Sequence, residues 1–141
     1  MKLIVLAVDK MRDRHLGAAC DDYLDRIRRH LPIEVVEVDD DAALLRRLAN
    51  VTGEIVALEV TGEAWDTTKL TAYISDGMVH GQRSVTFLIG GSDGLPATAV
   101  ARAKRKLSLS AMTLPHRLAR VVLCEQLYRA LSIIKGEPYN R

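Results

Sequence analysis

Apolar residues recur along the chain in short, nearly continuous runs that are separated by longer stretches of helical character. Five runs rich in Val, Ile and Leu, the last of them weaker, predict β-strands over Leu3–Val8, Ile33–Val38, Ile55–Val60, Val85–Ile89 and Leu107–Met112. Runs that are apolar throughout, without strict alternation with polar residues, are typical of strands covered on both faces. The pattern therefore predicts a sheet buried between two layers.

The segments between these strands predict five helices. They cover roughly Met11–His30, Asp41–Ala49, Thr67–Val79, Ala97–Lys106 and Pro115–Lys135. Strands that alternate with helices form parallel α/β sheets. Asp66 can cap the third helix, and Gly136 can end the last one. Pro96 and Pro115 fit first helical turns, where a missing N–H costs nothing.

Length and composition indicate a single globular unit. The chain has 141 residues, of which 48% are hydrophobic and 27% charged, as expected for one compact domain with an adequate core. It contains no repeat, linker or low-complexity segment, so we expect one domain over residues 1–141. The first apolar run is too short for a signal peptide or a membrane span. We therefore expect a cytoplasmic protein.

Cysteines and histidines are too scattered to predict a metal site. Cys20 and Cys124 have no CxxC motif or Cys/His cluster nearby, which favours two buried reduced thiols over a disulfide, a metal ligand or a nucleophile. Three of the four histidines are expected at the surface: His15, His30 and His80. His116 differs because it begins the final helix directly after a candidate binding loop. A histidine in that place is more often structural than catalytic, and it is assigned no role.

Charge is distributed unevenly along the chain. Residues 1–81 carry ten Lys/Arg against fifteen Asp/Glu, a net of −5, whereas residues 82–141 carry ten against three, a net of +7. Clustered cations supply the sequence-independent part of nucleic-acid affinity. The cations that could line such a surface are Arg102, Lys104, Arg105, Lys106, Arg117, Arg120, Arg129, Lys135 and Arg141. For any single one of them, an ordinary solvated helix surface is the better explanation.

Three loops follow predicted strands, at the sheet edge where parallel α/β proteins bind ligands. Their sequences are VTGEAWDT, GGSDGL and TLPHR. The chain lacks a P-loop, the dinucleotide fingerprint after its first strand, and the GxSxG and HExxH motifs, so binding through a phosphate tail is disfavoured. The three glycines of GGSDGL indicate either a tight turn or a place where the backbone approaches a ligand closely.

The segment from Leu107 to Ile134 combines an uncharged loop with an unusual helix. The helix has apolar residues on more than one face: Val121, Val122, Leu123, Leu127, Tyr128, Leu131 and Ile134. A helix of this kind needs two apolar partners. One is its own sheet, and the other is either the same helix of a second subunit or another element of the same chain. We expect a homodimer.

Three motifs, LIGGSDGL, LSLSAMTLPHRLARVVLCEQLYRA and GEPYNR, strongly resemble the ribosomal RNA large subunit methyltransferase H family of the SPOUT class. The similarity runs from MKLIVLAV through ALEVTGEAWDT to the tail. It implies a parallel α/β sheet with helices on both faces and a C-terminal trefoil knot, a rare exception to unknotted topology. It also implies methylation of N3 of a pseudouridine in 23S rRNA of the assembled ribosome, with S-adenosyl-L-methionine as cofactor.

The resemblance implies cofactor contacts in the three loops. They fall on Leu58, Gly90, Gly91, Leu109, Ser110, Ala111, Met112, Thr113 and Leu114. A neutral adenine and a sulfonium call for apolar walls and backbone hydrogen bonds, with no phosphate to neutralise. We expect Gly90 and Gly91 to approach the cofactor and Gly94 to form a turn. Asp93 is expected to cap the next helix, and a contact with the cationic methionyl group is the alternative. Gly90→Val is expected to block the cofactor and leave the fold largely intact.

For the nucleotide, the resemblance points to Tyr139, Arg141, Arg129 and Glu125 as orienting residues. Arg can offer two donors, and Tyr can stack on a base. An i,i+4 pair of Glu125 and Arg129 that merely supports the helix explains those two residues equally well.

Two departures from the family pattern bear on activity. Asn140 stands where relatives carry a histidine, and Asn cannot accept a proton at neutral pH. The segment 39–54 is shorter than in typical members and begins with three aspartates, which puts any RNA contact there in doubt. The alternative function is therefore a catalytically weak or inactive ribosome-binding protein of the same fold.

Overall fold

A computed structural model describes residues 1–140, in which strands and helices alternate as predicted. The elements are β1 (Lys2–Val8), α1 (Arg14–Arg28), β2 (Ile33–Val38), α2 (Asp41–Leu48), β3 (Glu54–Ala64), α3 (Thr67–Val79), β4 (Ser84–Ile89), α4 (Ala97–Arg102), β5 (Arg105–Ser108) and α5 (His116–Lys135). No helix within this range is long and apolar enough to cross a bilayer.

The five strands form one parallel sheet in the order β2-β1-β4-β3-β5. Successive side chains of β1 enter different cores because the side chains of a strand alternate between the faces of its sheet. Leu3 and Val5 belong to a core formed with α1, α3 and α5. Leu6 and Val8 belong to a second, smaller core formed with α2 and α4. The prediction of a sheet covered by helices on both faces is confirmed.

Helix α5 finds its apolar partners inside its own chain. It contacts α1, α3 and β4, and its residues Leu123 and Leu127 are fully buried. Packing against two helices and the sheet explains why the helix is apolar on more than one face. The hydrophobic pattern of α5 therefore does not itself require a second subunit.

Helix ends follow the predicted local chemistry with one exception. Asp66 caps α3 by accepting a hydrogen bond from the Lys69 backbone N–H at 2.8 Å, and Gly136 ends α5 in the left-handed conformation with φ 77°. The prediction that Asp93 caps the next helix was wrong. Helix α4 begins after Pro96 and has no side-chain cap, because the loop places Asp93 before the cap position.

The region between β4 and α5 folds differently from the prediction. The boundaries predicted for a helix over Ala97–Lys106 and a strand over Leu107–Met112 were both wrong. Helix α4 ends at Arg102, and strand β5 begins earlier, at Arg105, and ends at Ser108. Ala103 is extended, with φ −75° and ψ 135°. The Lys104 N–H donates to the Ile55 carbonyl at 2.9 Å. Pairing with β3 overrides the helical propensity of the lysines and arginines.

Strand β3 is longer than predicted and contains a bulge. Leu58 and Glu63 both lie opposite Leu107 of β5, so the residues between them leave the ladder. A Cβ on Gly62 would lie 2.8 Å from the carbonyl of Lys106, so glycine is required where the bulge passes β5. The segment after Val60, predicted as a loop, therefore belongs to the bulged part of β3, which pairs with the edge strand β5.

Candidate functional site

A cleft with a volume of about 530 Å³ opens where β3, β4 and the loops after β4 and β5 meet. This volume is typical of small-molecule sites. Eight of the nine predicted cofactor residues line it: Leu58, Gly90, Gly91, Leu109, Ser110, Met112, Thr113 and Leu114. The ninth, Ala111, is exposed and lies outside the lining. The structure thus brings the three predicted segments together at the carboxyl edge of the sheet.

The walls of the cleft are apolar and carry little charge. Ile89 and Leu107 are buried in its depth, while Met112 and Val60 at the cleft leave 79% and 48% of their surface exposed. No Lys or Arg lines the cleft within residues 1–140. Walls of this kind suit a neutral aromatic ring better than a phosphate chain.

Glycines of the loop after β4 set the shape of the cleft. A Cβ on Gly90 would lie 2.3 Å from the carbonyl carbon of Gly94 and 2.5 Å from the Leu95 nitrogen. Both neighbours are backbone atoms, so Gly90 lets the outgoing and returning arms of the loop touch. The expectation that Gly90→Val would leave the fold intact is therefore wrong at this loop. Gly94 takes φ 80°, in agreement with the predicted turn.

Gly91 is also close to its surroundings, but to a side chain. A Cβ there would lie 3.3 Å from Cγ1 of Val8, a contact that a small side-chain adjustment can relieve. Its carbonyl accepts a hydrogen bond from the Gly94 N–H at 3.0 Å, which closes the turn. The two adjacent glycines therefore have different reasons to be glycine.

Glu59 is a cleft residue that the sequence analysis missed. It belongs to the β3 bulge, is half-buried and lines the cleft. Its carboxylate makes no hydrogen bond or ion pair with any other residue of the part that the structure describes. An unpaired carboxylate beside apolar walls is suited to accept hydrogen bonds from a bound ligand. Because the bulge was not predicted, the direction of this side chain could not be.

His116 lines the cleft at the start of α5. Its Nε2 is buried and lies 3.5 Å from Oδ2 of Asp9 without forming a hydrogen bond. Burial, together with the charge of Arg117, lowers the pKa of His116, so its ring is neutral at neutral pH. Asp9 itself has φ 81°, a conformation that is rare for residues other than glycine. No sequence signal pointed to Asp9.

Arg120, one of the cations that could have lined a phosphate-binding surface, does not lie at the surface. It is buried, with Nη1 donating to Oε2 of Glu37 at 2.6 Å and Nη2 donating to the Asp9 carbonyl at 3.0 Å. Burial opposes ionisation of Glu37, but the hydrogen bonds from Arg120 and from the Met11 N–H, together with the charge of Arg120, outweigh it and lower the pKa of that carboxyl. Arg120 thus holds the backbone of Asp9 beside the cleft.

Exposed cations concentrate instead on a short segment beside the cleft. We call residues 102–106 the basic segment; its exposed members are Arg102, Lys104, Arg105 and Lys106. The segment leads into and includes part of β5, which is an edge strand of the sheet. The next residue, Leu107, lines the cleft. A positively charged edge therefore adjoins a cavity whose lining holds one carboxylate and, within the described residues, no Lys or Arg.

Three of the predicted nucleotide-orienting residues form a second group, which we call the C-terminal cluster: Glu125, Arg129 and Tyr139. Nη2 of Arg129 and the Tyr139 hydroxyl each donate to Oε2 of Glu125 at 2.8 Å, and the guanidinium lies 4.8 Å from the Tyr139 ring centre. The Glu125 hydrogen bond raises the pKa of Arg129, and burial with hydrogen bonding raises that of Tyr139. Arg141, the fourth predicted residue, lies outside the described residues.

The C-terminal cluster and the cleft do not meet within one chain. None of the three cluster residues lines the cleft. Glu125 follows His116 by nine positions on α5, which corresponds to about 14 Å along a helix axis at 1.5 Å per residue. Asn140 accepts a hydrogen bond from Nη1 of Arg129 at 3.0 Å and so binds the tail to the cluster. The i,i+4 pair of Glu125 and Arg129 is present, and it also anchors the tail.

Comparison with known proteins assigns the family. Residues 1–140 match the family described as "Predicted SPOUT methyltransferase". The chain is 44% identical to ribosomal RNA large subunit methyltransferase H of Sorangium cellulosum, with 99% of both chains covered. It is 39% identical to the protein of the same name from Anaeromyxobacter dehalogenans, with 100% of both covered.

Solved structures agree with this fold. A probable methyltransferase from Bordetella pertussis Tohama I has a TM-score of 0.62 at 14% identity, covering 92% of this chain and 95% of that one. An AdoMet-bound rRNA methyltransferase from Sinorhizobium meliloti has a TM-score of 0.51 at 14% identity, covering 91% and 56%. The chain therefore belongs to the SPOUT methyltransferases and, among them, to the ribosomal RNA large subunit methyltransferase H family.

Proposed function

We propose that this protein methylates N3 of a pseudouridine in 23S rRNA of the assembled ribosome, in the cytoplasm, with S-adenosyl-L-methionine as methyl donor. The observation that carries the proposal is the cleft itself: its walls are apolar, it lacks phosphate-binding cations in the described range, and it adjoins the basic segment. Full-length similarity to large-subunit rRNA methyltransferases supports the choice of substrate. The trefoil knot of the family is part of this proposal.

The cleft residues fit the chemistry of this cofactor. Aliphatic walls at Leu58, Leu109 and Leu114 would enclose the adenine, and the Gly90–Gly91 backbone would approach the remainder of the molecule. Glu59 would accept hydrogen bonds from the ribose hydroxyls or the ammonium group. The cofactor supplies a methyl group already activated by a positively charged sulfur. The chain's own task is to align the base nitrogen with it and to accept or share the N3 proton.

The tail of this chain has no histidine that could accept the N3 proton, so another residue must do so. Asn140 has no basic atom at neutral pH. Two described residues of the cleft can accept a proton there, the unpaired carboxylate of Glu59 and the neutral ring of His116. A proton removed from N3 therefore has an acceptor on the cofactor side of the site, without the tail.

We infer that the working enzyme is a homodimer in which the C-terminal cluster of one protomer completes the cleft of the other. The separation of about 14 Å along α5 supports this, because within one chain the cluster stands well away from the cleft. Neighbouring subunits of a symmetric dimer can bring such separated groups together twice, once at each cleft.

Two variants that fail for different reasons test this arrangement. Gly90→Ala damages the cleft, and Tyr139→Ala damages the cluster. Heterodimers purified after co-expression, with a different tag on each chain, contain one intact composite site. They should recover about half of the wild-type activity, as one of the two sites in a symmetric dimer. A monomeric mass by light scattering, or heterodimers without activity, would contradict the shared site.

The activity itself is tested with labelled cofactor and ribosomes from a strain that lacks the modification. Label in 23S rRNA at N3 of the pseudouridine supports the enzyme. The second candidate, a ribosome-binding protein with little or no activity, is favoured by Asn140 in the tail. It predicts co-sedimentation with ribosomes and no label. A folded dimer that binds neither S-adenosylmethionine nor its demethylated product in calorimetry would exclude methyl transfer.

A further inference from the structure

Two cysteines that are far apart in the sequence lie side by side between α1 and α5. The Sγ atoms of Cys20 and Cys124 are 3.6 Å apart across 104 positions of sequence. Both side chains are buried, and both thiols are free. The prediction of two buried reduced thiols is confirmed, but the thiols are not isolated from each other. A disulfide would require the sulfurs to approach to about 2.05 Å, a shift of the size that side-chain rotation and a small helix adjustment provide.

A second cavity gives access to one of the two thiols. It has a volume of about 350 Å³ and is lined by Cys20, Asp21, Glu37 and Arg120, among others, whereas Cys124 is not part of the lining. A space of this size admits a small polar molecule such as hydrogen peroxide, since a water needs far less. Nε of Arg120 is buried and has no hydrogen-bond partner, so the guanidinium retains a donor near this cavity.

The surroundings give the two thiols different chemistry. A hydrogen bond with Cys124 lowers the pKa of Cys20, and the charge of Arg120 acts in the same direction against burial. The same hydrogen bond, together with burial, raises the pKa of Cys124. The thiolate is the reactive form of cysteine. Cys20 alone of the two lines the cavity, so it is the thiol that a small oxidant reaches first, and Cys124 is the thiol that can react with its oxidised product.

We propose that Cys20 and Cys124 form an oxidisable dithiol site that reacts with hydroperoxides to give an intrachain disulfide between α1 and α5. The Cys20 thiolate attacks one peroxide oxygen, the O–O bond breaks, and hydroxide leaves and takes up a proton to become water. The sulfenic acid on Cys20 is then attacked by the Cys124 sulfur, and a second water leaves. Two thiols lose two electrons in total, and one hydrogen peroxide is reduced to two waters.

The test uses the full-length protein in its reduced, folded form, exposed to hydrogen peroxide. The mass of the intact chain should fall by two hydrogen atoms, and non-reducing peptide mapping should recover a Cys20–Cys124 linked pair that dithiothreitol separates. The midpoint of thermal unfolding should rise in the oxidised form, because the bond closes a long loop. These readouts do not depend on methyl transfer, so they stand whether or not the proposed activity is found.

Single variants separate the two roles. Cys124→Ser should accumulate a sulfenic acid on Cys20 that dimedone labels, and Cys20→Ser should accumulate none on Cys124. Either variant is checked for folding by its circular dichroism spectrum before treatment. The proposal is overturned if the wild-type chain keeps both thiols under conditions that fully oxidise glutathione. It is also overturned if the recovered disulfides join two different chains.

Discussion

The cleft and the C-terminal cluster are held together by different means. The cleft owes its shape to backbone contacts, glycines and aliphatic walls, and its one carboxylate, Glu59, is unpaired in the described chain. The cluster consists of three side chains joined by charge-assisted hydrogen bonds. An added methyl group should therefore disrupt the cleft, whereas the cluster should respond to the loss of a donor or an acceptor. The two regions should also fail in different steps, cofactor binding and nucleotide positioning.

The largest effect on cofactor affinity is expected from a substitution at Gly90, which alters the cleft and leaves the C-terminal cluster untouched. In Gly90→Ala, the new Cβ meets the Gly94–Leu95 backbone at 2.3 Å to 2.5 Å, so the loop must move. Overpacking of this kind costs about 1–3 kcal/mol, and cofactor affinity should fall by about 100-fold if most of that cost falls on the cleft. Calorimetric titration with the demethylated cofactor measures the affinity, and thermal unfolding measures the stability.

Gly91→Ala is the matched control for this variant. Its Cβ meets a side chain, Val8, at 3.3 Å, which can yield. Its loss of affinity should be less than about tenfold, or 1.4 kcal/mol. Equal losses in both alanine variants would show that the backbone contact at Gly90 does not set the shape of the cleft.

Tyr139→Ala should lower methyl transfer and leave cofactor binding unchanged. The substitution removes the hydroxyl that donates to Glu125 and the ring that covers Arg129. A lost charge-assisted hydrogen bond is worth about 1.5–3 kcal/mol, so we expect a fall of about 10- to 100-fold in kcat/KM on ribosomes. Tyr139→Phe keeps the ring and should retain more of the activity. A change in cofactor affinity beyond about twofold would show that the C-terminal cluster also contributes to cofactor binding, which contradicts the separate roles of the two regions.

Glu59→Gln tests the polar contact of the cleft. The amide keeps the size of the side chain. It loses the negative charge, and one of the two oxygens that accept hydrogen bonds is replaced by an NH₂ donor. We expect affinity for S-adenosylmethionine to fall by about tenfold, the equivalent of 1.4 kcal/mol. A nucleoside without the methionine part separates the two donors, since it keeps the ribose hydroxyls and lacks the ammonium group. Unchanged affinity for both compounds would remove Glu59 from the site.

Lys106→Ala should weaken ribosome binding and not cofactor binding. Lys106 is exposed in the basic segment next to the cleft. Loss of one phosphate contact should reduce the slope of log K against log salt by about one and weaken binding about equally across RNA sequences. Lys2→Ala is the control. Lys2 pairs with Glu34 at the amino end of β1, and the cleft lies at the opposite, carboxyl edge of the sheet. A salt slope equal to that of wild type would place the RNA elsewhere.

The smallest effect is a pH dependence confined to the cleft. The pKa of His116 is lower in the folded chain, so the unfolded chain binds more protons below its ordinary value of about 6.5, and stability decreases as pH falls through that value. Between pH 7.5 and 5.5, wild type should lose more unfolding free energy than His116→Gln. His15→Gln, at an exposed position, is the control. The pKa values of Arg129 and Tyr139 are raised, so these two groups do not titrate in this range.

Hydrophobic periodicity predicted the layers of the fold and the segments of the cleft, because both follow from local apolar runs and from the rule that ligands bind at strand ends. It failed where a long-range contact decides a local structure. Arg105 and Lys106 end a run that has the composition of a helix, and they join strand β5 through their pairing with β3. Glu59 and Asp9 were missed for the same reason: a bulge and a positive φ place them, and neither has a sequence signal here.

The family resemblance supplied residue identities that the pattern could not, but not their distances. Tyr139, Arg129 and Glu125 were predicted to orient the nucleotide, and within one chain they form a group separate from the cleft. Arg120 shows the same limit for charge. Its sequence neighbours predict a surface cation, while burial beside Glu37 makes it a structural one.

The strand order has a consequence for how the protein folds. The cleft is lined by residues of β3, β4 and β5. In the sequence, β5 is separated from its partner β3 by α3, β4 and α4. Contacts between parts of the chain that are distant in sequence form slowly, since loop closure must precede any gain from pairing. The cleft therefore cannot form before the pairing of β5 with β3 is made. During refolding, the appearance of cofactor binding should lag behind the recovery of helical circular dichroism, which makes the ligand a kinetic probe of the docking of β5.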